Sequence, residues 1–511
     1  MNITGTTFSS CTIYLIDPIP PSVNDNWGGC TQNGYFGPFA LNQNGTYSFG
    51  IIPGSSSGSL TLSLSVDTSG TIAINGPAVT ATTTVTGQDA RLTFEATGQR
   101  IVVYATNVSN QGALVNLVTP SGSTQANMFI DNSPAGQTFF LDTQALGFGT
   151  YQLWVQHDVS NVGSETLQIA SVPADYSKLL PVPGAGKTGA AVRVPGSGNL
   201  AVGQNASLTI NGTLGEKLSF NLSSTIGTNS GSCFGTLYDP NGAIVLNGPA
   251  GYCGVGATYI DTVKLALTGT YTLYLDPQGT ATGTITVSIN NDQDVTTPTI
   301  SIGGSAVTAT TAVAGQDIRL SFTPTASQPR IAVLATNVTT PGANLNLWNG
   351  TSTQSSAVIS NNPSGQTFFI DTQSVTSGQQ YQLWVQHSGT YIGSETLQIV
   401  NVPADISHTV TVGGAAYALS TVIGQNANIT FTTTASEAVT INWTSGTYPT
   451  ALGCSIIVTG PSPSTNQVGS GSCNAATGTI NLGTLSAGTY NIFVNPQAQS
   501  AGGLSMTVIT P

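Results

Sequence analysis

The sequence predicts an all-β protein of tandem β-sandwich modules, of jelly-roll or immunoglobulin-like type, joined in a rod. Apolar and polar residues alternate, as in Tyr271, Leu273 and Leu275, which is the pattern of half-buried strands. Turn-forming Gly, Asn and Pro separate these stretches about every 8–12 residues, a spacing typical of sandwiches rather than of βαβ units. Long stretches also recur, since residues 136–144 return almost unchanged as residues 365–373.

Two kinds of module alternate along the chain. The octapeptide Gly87–Phe94 returns at Gly315–Phe322, and shorter Gly-Gln-Asn copies begin at Gly203 and Gly424. We interpret this motif as the turn into a core strand: Gly allows the bend, Asp or Asn caps it, and Leu and Phe enter the core. The predicted division is residues 1–69 (module 1), 70–177 (module 2), a Gly- and Pro-rich flexible link at 178–195, 196–291 (module 3), 292–408 (module 4) and 409–511 (module 5).

Composition favours a folded protein of short β-strands and argues against several classes of partner. Only 6% of the 511 residues are charged, the net charge is −12 and the pI is near 4.3. Nucleic-acid binding requires clustered Lys and Arg, and the nine basic residues here are scattered. No apolar run is long enough to span a membrane, and no signal peptide is visible at the start.

Six cysteines fall into three local pairs, one in each of modules 1, 3 and 5, which we call the cysteine modules. The separations are 19, 20 and 19 residues, and neither a Cys-x₂₋₄-Cys clip nor nearby histidines support zinc. We therefore predict three disulfides and an extracellular or cell-surface location. The predicted pairs are Cys11–Cys30, Cys233–Cys253 and Cys454–Cys473.

The repeated motifs resemble a family. The Gly-Gln-Asp/Asn strand, Phe/Ile-Asp-Thr, Gly-Thr-Tyr and Val-Pro-Ala-Asp are similar to tandem β-sandwich repeats of large bacterial secreted and surface proteins. Those repeats include Rhs-associated modules and modules like the bacterial pre-peptidase C-terminal domain. The resemblance covers almost all of residues 70–511. It implies accessory modules without catalysis, such as spacers, stalks or secretion-associated domains.

Module 1 is expected to lack two strands. In modules 3 and 5, 30 residues separate the Gly of Gly-Gln-Asn from the first cysteine, at Gly203 to Cys233 and Gly424 to Cys454, whereas ten residues precede Cys11. A sandwich without these strands exposes apolar faces and unpaired edges. Either the sequence is a piece of a longer protein, or a neighbouring subunit supplies the strands.

The histidines and aspartates, which could act in catalysis or bind a metal, have simpler structural interpretations here. His157 and His387 end equivalent strands and His408 lies in a junction, so we expect turn residues rather than metal ligands. Repetition of Phe/Ile-Asp-Thr predicts backbone capping rather than an acid pair, and no hydrolase or nucleotide-binding motif is present. We expect no catalytic residues and no cofactor, with one weak Ca²⁺ candidate at a junction. The Asp-Thr residues are Asp142, Asp261 and Asp371, and the Ca²⁺ candidates are Asp292 and Asp294.

Two further sets of residues suggest contacts at the surface. Aromatic residues on outward strand positions favour a module or subunit interface, or a platform on which a sugar stacks: Trp154, Tyr274, Trp384 and Phe493. Ten Asn-x-Ser/Thr sequons make glycosylation a further hypothesis. The candidates for glycosylation are Asn107, Asn205, Asn221, Asn337, Asn428 and Asn442.

The sequence thus predicts a non-enzymatic extracellular protein that assembles with itself into a filament, surface layer or stalk. Strand complementation between subunits is one possible mechanism. Two alternatives stay open. One is an adhesin or an array of carbohydrate-binding modules that contacts cell-surface glycans, and the other is the spacer of a larger secreted enzyme or toxin.

Overall fold

The chain forms five consecutive two-sheet units, seen here in a computed structural model that describes residues 1–18, 23–35, 39, 41, 43–158, 161–246 and 251–511. In these ranges the helical content is one 3₁₀ turn, Ser230–Ser232, and the other regular elements are strands. The predicted all-β class is therefore confirmed. In the same ranges no helix is long and apolar enough to cross a membrane.

Module 1 is the smallest unit. Its strands are β1 (Asn2–Thr4), β2 (Thr12–Ile16), β3 (Val23–Gly29), β4 (Gly34–Tyr35), β5 (Ser48–Ile52) and β6 (Thr61–Ser63). They form two three-stranded sheets with the orders β4-β1-β6 and β3-β2-β5.

Modules 2 and 4 are near copies of each other. Module 2 has β7 (Thr68–Thr71), β8 (Val79–Thr83), β9 (Ala90–Thr97), β10 (Arg100–Thr106), β11 (Ala113–Val118), β12 (Thr124–Ile130), β13 (Phe139–Ala145), β14 (Phe148–His157) and β15 (Gly163–Val172). Module 4 has β26 (Val307–Thr310), β27 (Ile318–Phe322), β28 (Arg330–Thr336), β29 (Ala343–Trp348), β30 (Thr353–Ile359), β31 (Phe368–Ser374), β32 (Tyr381–His387) and β33 (Ser394–Asn401). The sheet orders are β13-β10-β15-β8 with β12-β11-β14-β9-β7, and β26-β33-β28-β31 with β27-β32-β29-β30.

Modules 3 and 5 share this plan. Module 3 has β16 (Tyr176–Leu179), β17 (Lys187–Thr188), β18 (Val192–Val194), β19 (Ala206–Gly212), β20 (Lys217–Ser224), β21 (Cys233–Tyr238), β22 (Ile244–Leu246), β23 (Gly256–Lys264), β24 (Gly269–Pro277) and β25 (Ile285–Asn291). Module 5 has β34 (Ile406–Thr409), β35 (Tyr417–Thr421), β36 (Ala427–Thr433), β37 (Glu437–Thr444), β38 (Cys454–Thr459), β39 (Gln467–Ser472), β40 (Gly478–Leu485), β41 (Gly488–Pro496) and β42 (Gly502–Ile509). The sheet orders are β16-β19-β24-β21-β22 with β17-β25-β20-β23, and β34-β36-β41-β38-β39 with β35-β42-β37-β40.

Each of modules 2 to 5 buries one core between its two sheets, because every second residue of a strand points inward. In β14, Tyr151, Leu153 and Val155 are buried, while Gln152 and Trp154 between them are half-buried. Strand β9 pairs antiparallel with β14 and places Phe94 opposite Tyr151. Leu92 and Phe94 therefore enter the core as the motif predicts.

The stretch predicted as a flexible link, residues 178–195, is instead part of module 3. Strand β16 extends one sheet by pairing with β19, and β17 and β18 extend the other by pairing with β25. Leu180 and Val194 are buried in the module's core. Burial of these two apolar side chains explains why the segment is ordered, although its high Gly and Pro content predicts flexibility.

All three predicted disulfides are present. They join Cys11 to Cys30, Cys233 to Cys253 and Cys454 to Cys473, with Cα–Cα distances of 5.0, 4.8 and 5.0 Å. In each pair the first cysteine lies at the start of a strand, and the second follows the hairpin or loop that comes after that strand. The backbone amide of the second cysteine donates a hydrogen bond to the backbone carbonyl of the first. Such short loops stabilise a module by about 3 kcal/mol, mainly by restricting its unfolded chain. The three bonds indicate a secreted, non-cytoplasmic protein.

Candidate functional site

The four joints between modules contain polar networks that repeat from one joint to the next. At three joints, the strand that leaves one module adds in parallel to the first core strand of the next module: β7 to β9, β16 to β19 and β34 to β36. At the joint between modules 3 and 4 a single parallel bridge, Val295 to Ile318, takes this place. At every joint the linker segment is thus hydrogen-bonded into a sheet of the following module.

The Gly of each Gly-Gln-Asp/Asn motif is the point where a module touches its predecessor. Gly87, Gly203, Gly315 and Gly424 all have φ between +71° and +81°, a region that side chains disfavour. A Cβ atom at Gly203 would collide with Thr143 and Val102, and one at Gly424 with Thr372. Glycine is therefore needed twice, for the turn and for the close approach.

The glutamine that follows connects the turn to the linker through main-chain atoms. The side-chain amide of Gln425 donates to the carbonyl of Ala404 at 2.7 Å, and its carbonyl accepts from the amide of Val422 at 3.3 Å. The same pair of bonds is made by the other three glutamines: Gln88 to Val66 and Thr84, Gln204 to Ala174 and Ala201, and Gln316 to Gln293 and Ala312.

The repeated Asp-Thr pairs form the other half of a joint. Thr143 donates its hydroxyl to the carbonyl of Gly203 at 2.7 Å, and Thr372 does so to Gly424 at 2.6 Å. The preceding Asp142 accepts from the Thr143 amide, in the capping role that the sequence predicts. The sequence did not reveal the threonine contact, because its partner lies 60 residues away in another module.

Each segment between two modules contains an aspartate, which we call the linker aspartate. The joints differ in which module supplies the arginine that pairs with it. At joints 2–3 and 4–5, which we call the reverse joints, Asp175 and Asp405 pair with Arg100 and Arg330 of the preceding module, both at 2.8 Å. At joints 1–2 and 3–4, Asp67 and Asp294 pair with arginines of the following module. These arginines are Arg91 at 2.7 Å and Arg319 at 2.9 Å.

At joints 1–2 and 3–4, which we call the tryptophan joints, the arginine also covers an aromatic ring. Arg319 lies 4.0 Å from the ring centroid of Trp384, a distance suited to cation–π attraction. The indole N–H of Trp384 donates to Asp317 at 2.8 Å, and the amide of His387 donates to the other oxygen of that carboxylate. Burial raises the pKa of Asp317, and the bond from Trp384 opposes that rise. Trp154, Arg91 and Asp89 repeat this arrangement in module 2.

The corresponding aromatic residues of the reverse joints are arranged more simply. The Tyr274 hydroxyl accepts from the Asn205 amide at 2.6 Å, and Phe493 stands opposite Asn428 on the neighbouring strand. All four outward aromatics are half-buried and lie beside a joint. One ring face of Trp154 and of Trp384 is occupied by an arginine, which reduces the surface that a stacked sugar could use.

His157 and His387 are more than turn residues, because each is paired with a buried glutamate. Nε2 of His157 lies 3.3 Å from Glu165, and both side chains are completely buried. Asn110 donates to the same glutamate at 2.9 Å. His387 and Glu395 repeat the pair at 3.3 Å. Among the described residues these pairs are not joined by a third metal-ligating side chain. His408 instead stacks on Tyr417, with 3.8 Å between the ring centroids.

The weak calcium candidates belong to joint 3–4. Asp294 holds two cations, Lys217 at 2.6 Å and Arg319 at 2.9 Å, so its oxygens already have partners. Asp292 is fully buried, accepts from the hydroxyl of Thr262 and lies against Gly315. Burial raises the pKa of Asp292 to about 6. Within the described ranges no cluster of three acidic, His or Cys side chains could hold a metal.

The candidate sequons divide by exposure. Asn107 and Asn337 are exposed at equivalent positions of modules 2 and 4, and both have positive φ. The other four are half-buried and hydrogen-bonded to neighbours: Asn205 to Tyr274, Asn221 to Asn290, Asn428 to Asn491 and Asn442 to Thr479. Exposure alone favours Asn107 and Asn337 as attachment points.

Module 1 contains the second candidate site, a pair of open sheet edges. In module 2, β14 pairs with β11 on one side and with β9 on the other. In the facing sheet, β15 pairs with β10 on one side and with β8 on the other. Their counterparts β5 and β6 pair with β2 and β1 on one side, and no described strand pairs with the other side. We call these two flanks the open edges.

Comparison with known proteins does not identify a family. No family model and no curated protein matches the chain. Among solved structures, a periplasmic inhibitor of g-type lysozyme, PliG of Aeromonas hydrophila, is 15% identical and aligns with 23% of this chain and 97% of its own, with a TM-score of 0.16. The CUB1-EGF-CUB2 domains of rat MASP-1 are 10% identical over 43% and 99% of the two chains, with a TM-score of 0.16. TM-scores this low carry no argument, and the resemblance to bacterial surface repeats stays a prediction.

Proposed function

We propose that this protein is a non-enzymatic extracellular structural protein that assembles end to end into a filament or stalk. The observation that carries the proposal is the pair of open edges of module 1. An unpaired edge offers its N–H and C=O groups to another strand, and natural proteins usually cover such edges. Strand addition at this end would join one subunit to the next through main-chain hydrogen bonds.

The contacts at the joints support a structural role. Each joint combines hydrogen bonds of the linker segment, an ion pair and the two main-chain bonds of the motif glutamine, which we call the glutamine bridge. Five of the nine basic residues take part in these ion pairs: Arg91, Arg100, Lys217, Arg319 and Arg330. Sparse charge elsewhere weakens repulsion between copies, which suits self-association. No geometry among the described residues gives comparable support to a glycan-binding array or to the spacer of an enzyme.

The test is assembly of the purified chain. We expect electron microscopy to show fibres with a repeat of five modules, and sedimentation to show a mass that grows with concentration. Ile51→Lys, on the open edge of β5, should abolish fibres. Val358→Lys, on an exposed position of module 4, is the matched control and should leave them intact. A chain that stays monomeric at all concentrations, with a protease-resistant module 1, would contradict the proposal.

A further inference from the structure

We infer that Asn107 and Asn337 carry sugars, each attached to the side-chain nitrogen of the asparagine. Both asparagines begin Asn-x-Ser/Thr sequons, at equivalent positions of modules 2 and 4. The inference requires a secreted chain, which the three disulfides indicate, and it does not depend on assembly into a filament. It comes from comparing the surroundings of all ten sequons.

The structure separates the ten sequons, because an acceptor asparagine must be exposed on a segment that an enzyme can reach. Asn205 and Asn349 lie outside strands but are half-buried. Five asparagines lie within strands, where the main chain is paired: Asn2, Asn211, Asn221, Asn428 and Asn442. Three are exposed and lie outside strands: Asn44, Asn107 and Asn337. We base the inference on the last two, because the repeat shows the same exposure twice.

The main chain of both sequons turns outward at the end of a core strand. Strand β10 ends at Thr106 and β28 at Thr336, and the asparagine that follows has a φ of +51° or +50°. Asparagine adopts this left-handed region more readily than most residues. The next residue, Val108 or Val338, is buried in the core of its module. The valine thus anchors the turn, and the asparagine side chain stays in solvent.

The acceptor nitrogen is weakly bound at both positions. Among the described residues, Nδ2 of Asn107 has one hydrogen-bond partner, the hydroxyl of Thr166 at 3.4 Å. Asn337 repeats this contact with Thr396, also at 3.4 Å. Such a length is at the weak end for a hydrogen bond of this kind. A sugar replaces one of the two hydrogens on Nδ2, so the nitrogen keeps a donor for the threonine.

The third residue of each sequon indicates when the sugar is added. The hydroxyl of Ser109 accepts from the backbone amide of Ser164, and that of Thr339 from the amide of Ser394, both at 2.8 Å. This hydroxyl belongs to the motif that the transfer enzyme recognises, so it must be free at that moment. Its partner lies 55 residues further along the chain, at the start of β15 or β33. The sugar is therefore added before that strand pairs, while the module is still unfolded.

The reaction exchanges one bond for another and needs no oxidant or reductant. Its co-reactant is an oligosaccharide activated at C1 by a phosphate or pyrophosphate group. Nδ2 attacks C1, and the N–C1 bond forms as the C1–O bond breaks. The phosphate or pyrophosphate leaves with its oxygen and the electron pair of the broken bond. Nδ2 releases one of its two protons and keeps the other.

The sugars lie beside one outer face of each module. Thr166 and Thr396, which the two asparagines contact, lie on the outer faces of the sheets that contain β15 and β33. Trp154 and Trp384 belong to the other sheet of the same modules. A glycan makes the first face bulky and hydrated, and it leaves the tryptophan face uncovered.

The experiment is mass spectrometry of the secreted full-length chain, purified from its natural source. Chymotrypsin is a suitable protease, because the chain has few Lys and Arg residues but many aromatic ones. We expect the peptides with Asn107 and Asn337 to carry the mass of an oligosaccharide. The peptides of the sequons within strands, such as those with Asn221, Asn428 and Asn442, should be unmodified.

Variants secreted by the same cells sharpen the assignment. Asn107→Gln should remove one glycan from the intact mass. Ser109→Ala keeps the asparagine and should also remove that glycan, because it destroys the motif. Thr339→Ala should do the same at Asn337. Asn221→Gln is the matched control, and it should leave the number of glycans unchanged.

Two results would overturn the inference. One is a secreted chain in which Asn107 and Asn337 are unmodified, and the other is equal occupancy of the sequons within strands. The timing has its own test, in which the transfer enzyme and its activated sugar are given either the folded, sugar-free chain or a synthetic peptide of residues 104–112. We expect the peptide to be modified and the folded chain to resist. Equal rates for the two would overturn the inferred order of modification and folding.

Discussion

The reverse joints and the tryptophan joints both connect consecutive modules closely, but they use different side chains around the turn. Both use the same glycine turn, glutamine bridge and linker aspartate. In a reverse joint the aspartate is bound to the module behind it, as Asp405 is to Arg330. In a tryptophan joint it pairs with an arginine of the module ahead, where Arg319 also covers Trp384, and at joint 3–4 Asp294 pairs in addition with Lys217 of the module behind. The glycine turn and the glutamine bonds are thus common to all four joints, whereas the ion pairs and the aromatic contact differ between them.

The largest expected effect is that of a side chain at the glycine turn. Gly424→Val should destabilise joint 4–5 by about 3 kcal/mol, because it adds a strained backbone and a collision with Thr372. Gly365→Val is the matched control: its φ of +79° is nearly the same and nothing lies near its Cβ position. Hydrogen exchange at the amide of Ile406, which bonds to the carbonyl of Asn426 and holds the linker strand β34 on module 5, measures the difference. Equal effects of both variants would show that strain alone matters.

A pH dependence should distinguish joint 3–4 from the reverse joints. Asp292 lies against the turn glycine where Val172 and Val402 lie in the reverse joints. Burial raises its pKa to about 6 from an ordinary value near 3.8. The folded state therefore holds this proton more tightly, so joint stability is greatest below about pH 4 and falls as the pH rises to about 6, by up to about 3 kcal/mol. Asp292→Val should remove this dependence, as measured by exchange at the amide of Val295 between pH 4 and 7.

The smallest effect should come from the arginines. Arg330→Met removes a partly exposed ion pair and should cost less than about 1 kcal/mol. Arg319→Met loses both the ion pair and the contact with Trp384, and should cost about 1–2 kcal/mol. Exchange at Ile406 and Val295, repeated at high salt, provides the measurement. Equal costs would mean that the tryptophan adds nothing to the joint.

Sequence patterns predicted the fold but only part of the site. Period-two alternation and paired cysteines are local signals, so the strands and disulfides could be read directly. The linker strand β16 could not, because its parallel pairing with β19 depends on a surface 30 residues further along the chain. The role of His157 was also missed, since its buried partner Glu165 lies on β15, a strand of the facing sheet. Asp-Thr and Gly-Gln-Asn were each recognised as repeats, and only the structure shows that they bind each other.

The glutamine bridge also bears on how such a chain can change during evolution. Each glutamine binds only main-chain atoms, one on its own turn and one on the incoming linker, for example Val422 and Ala404 for Gln425. A connection of this kind does not depend on which side chains the neighbouring module carries. A duplicated module inserted between two others would therefore keep its glutamine bridges whatever side chains its neighbours carry, which favours variation in chain length by recombination.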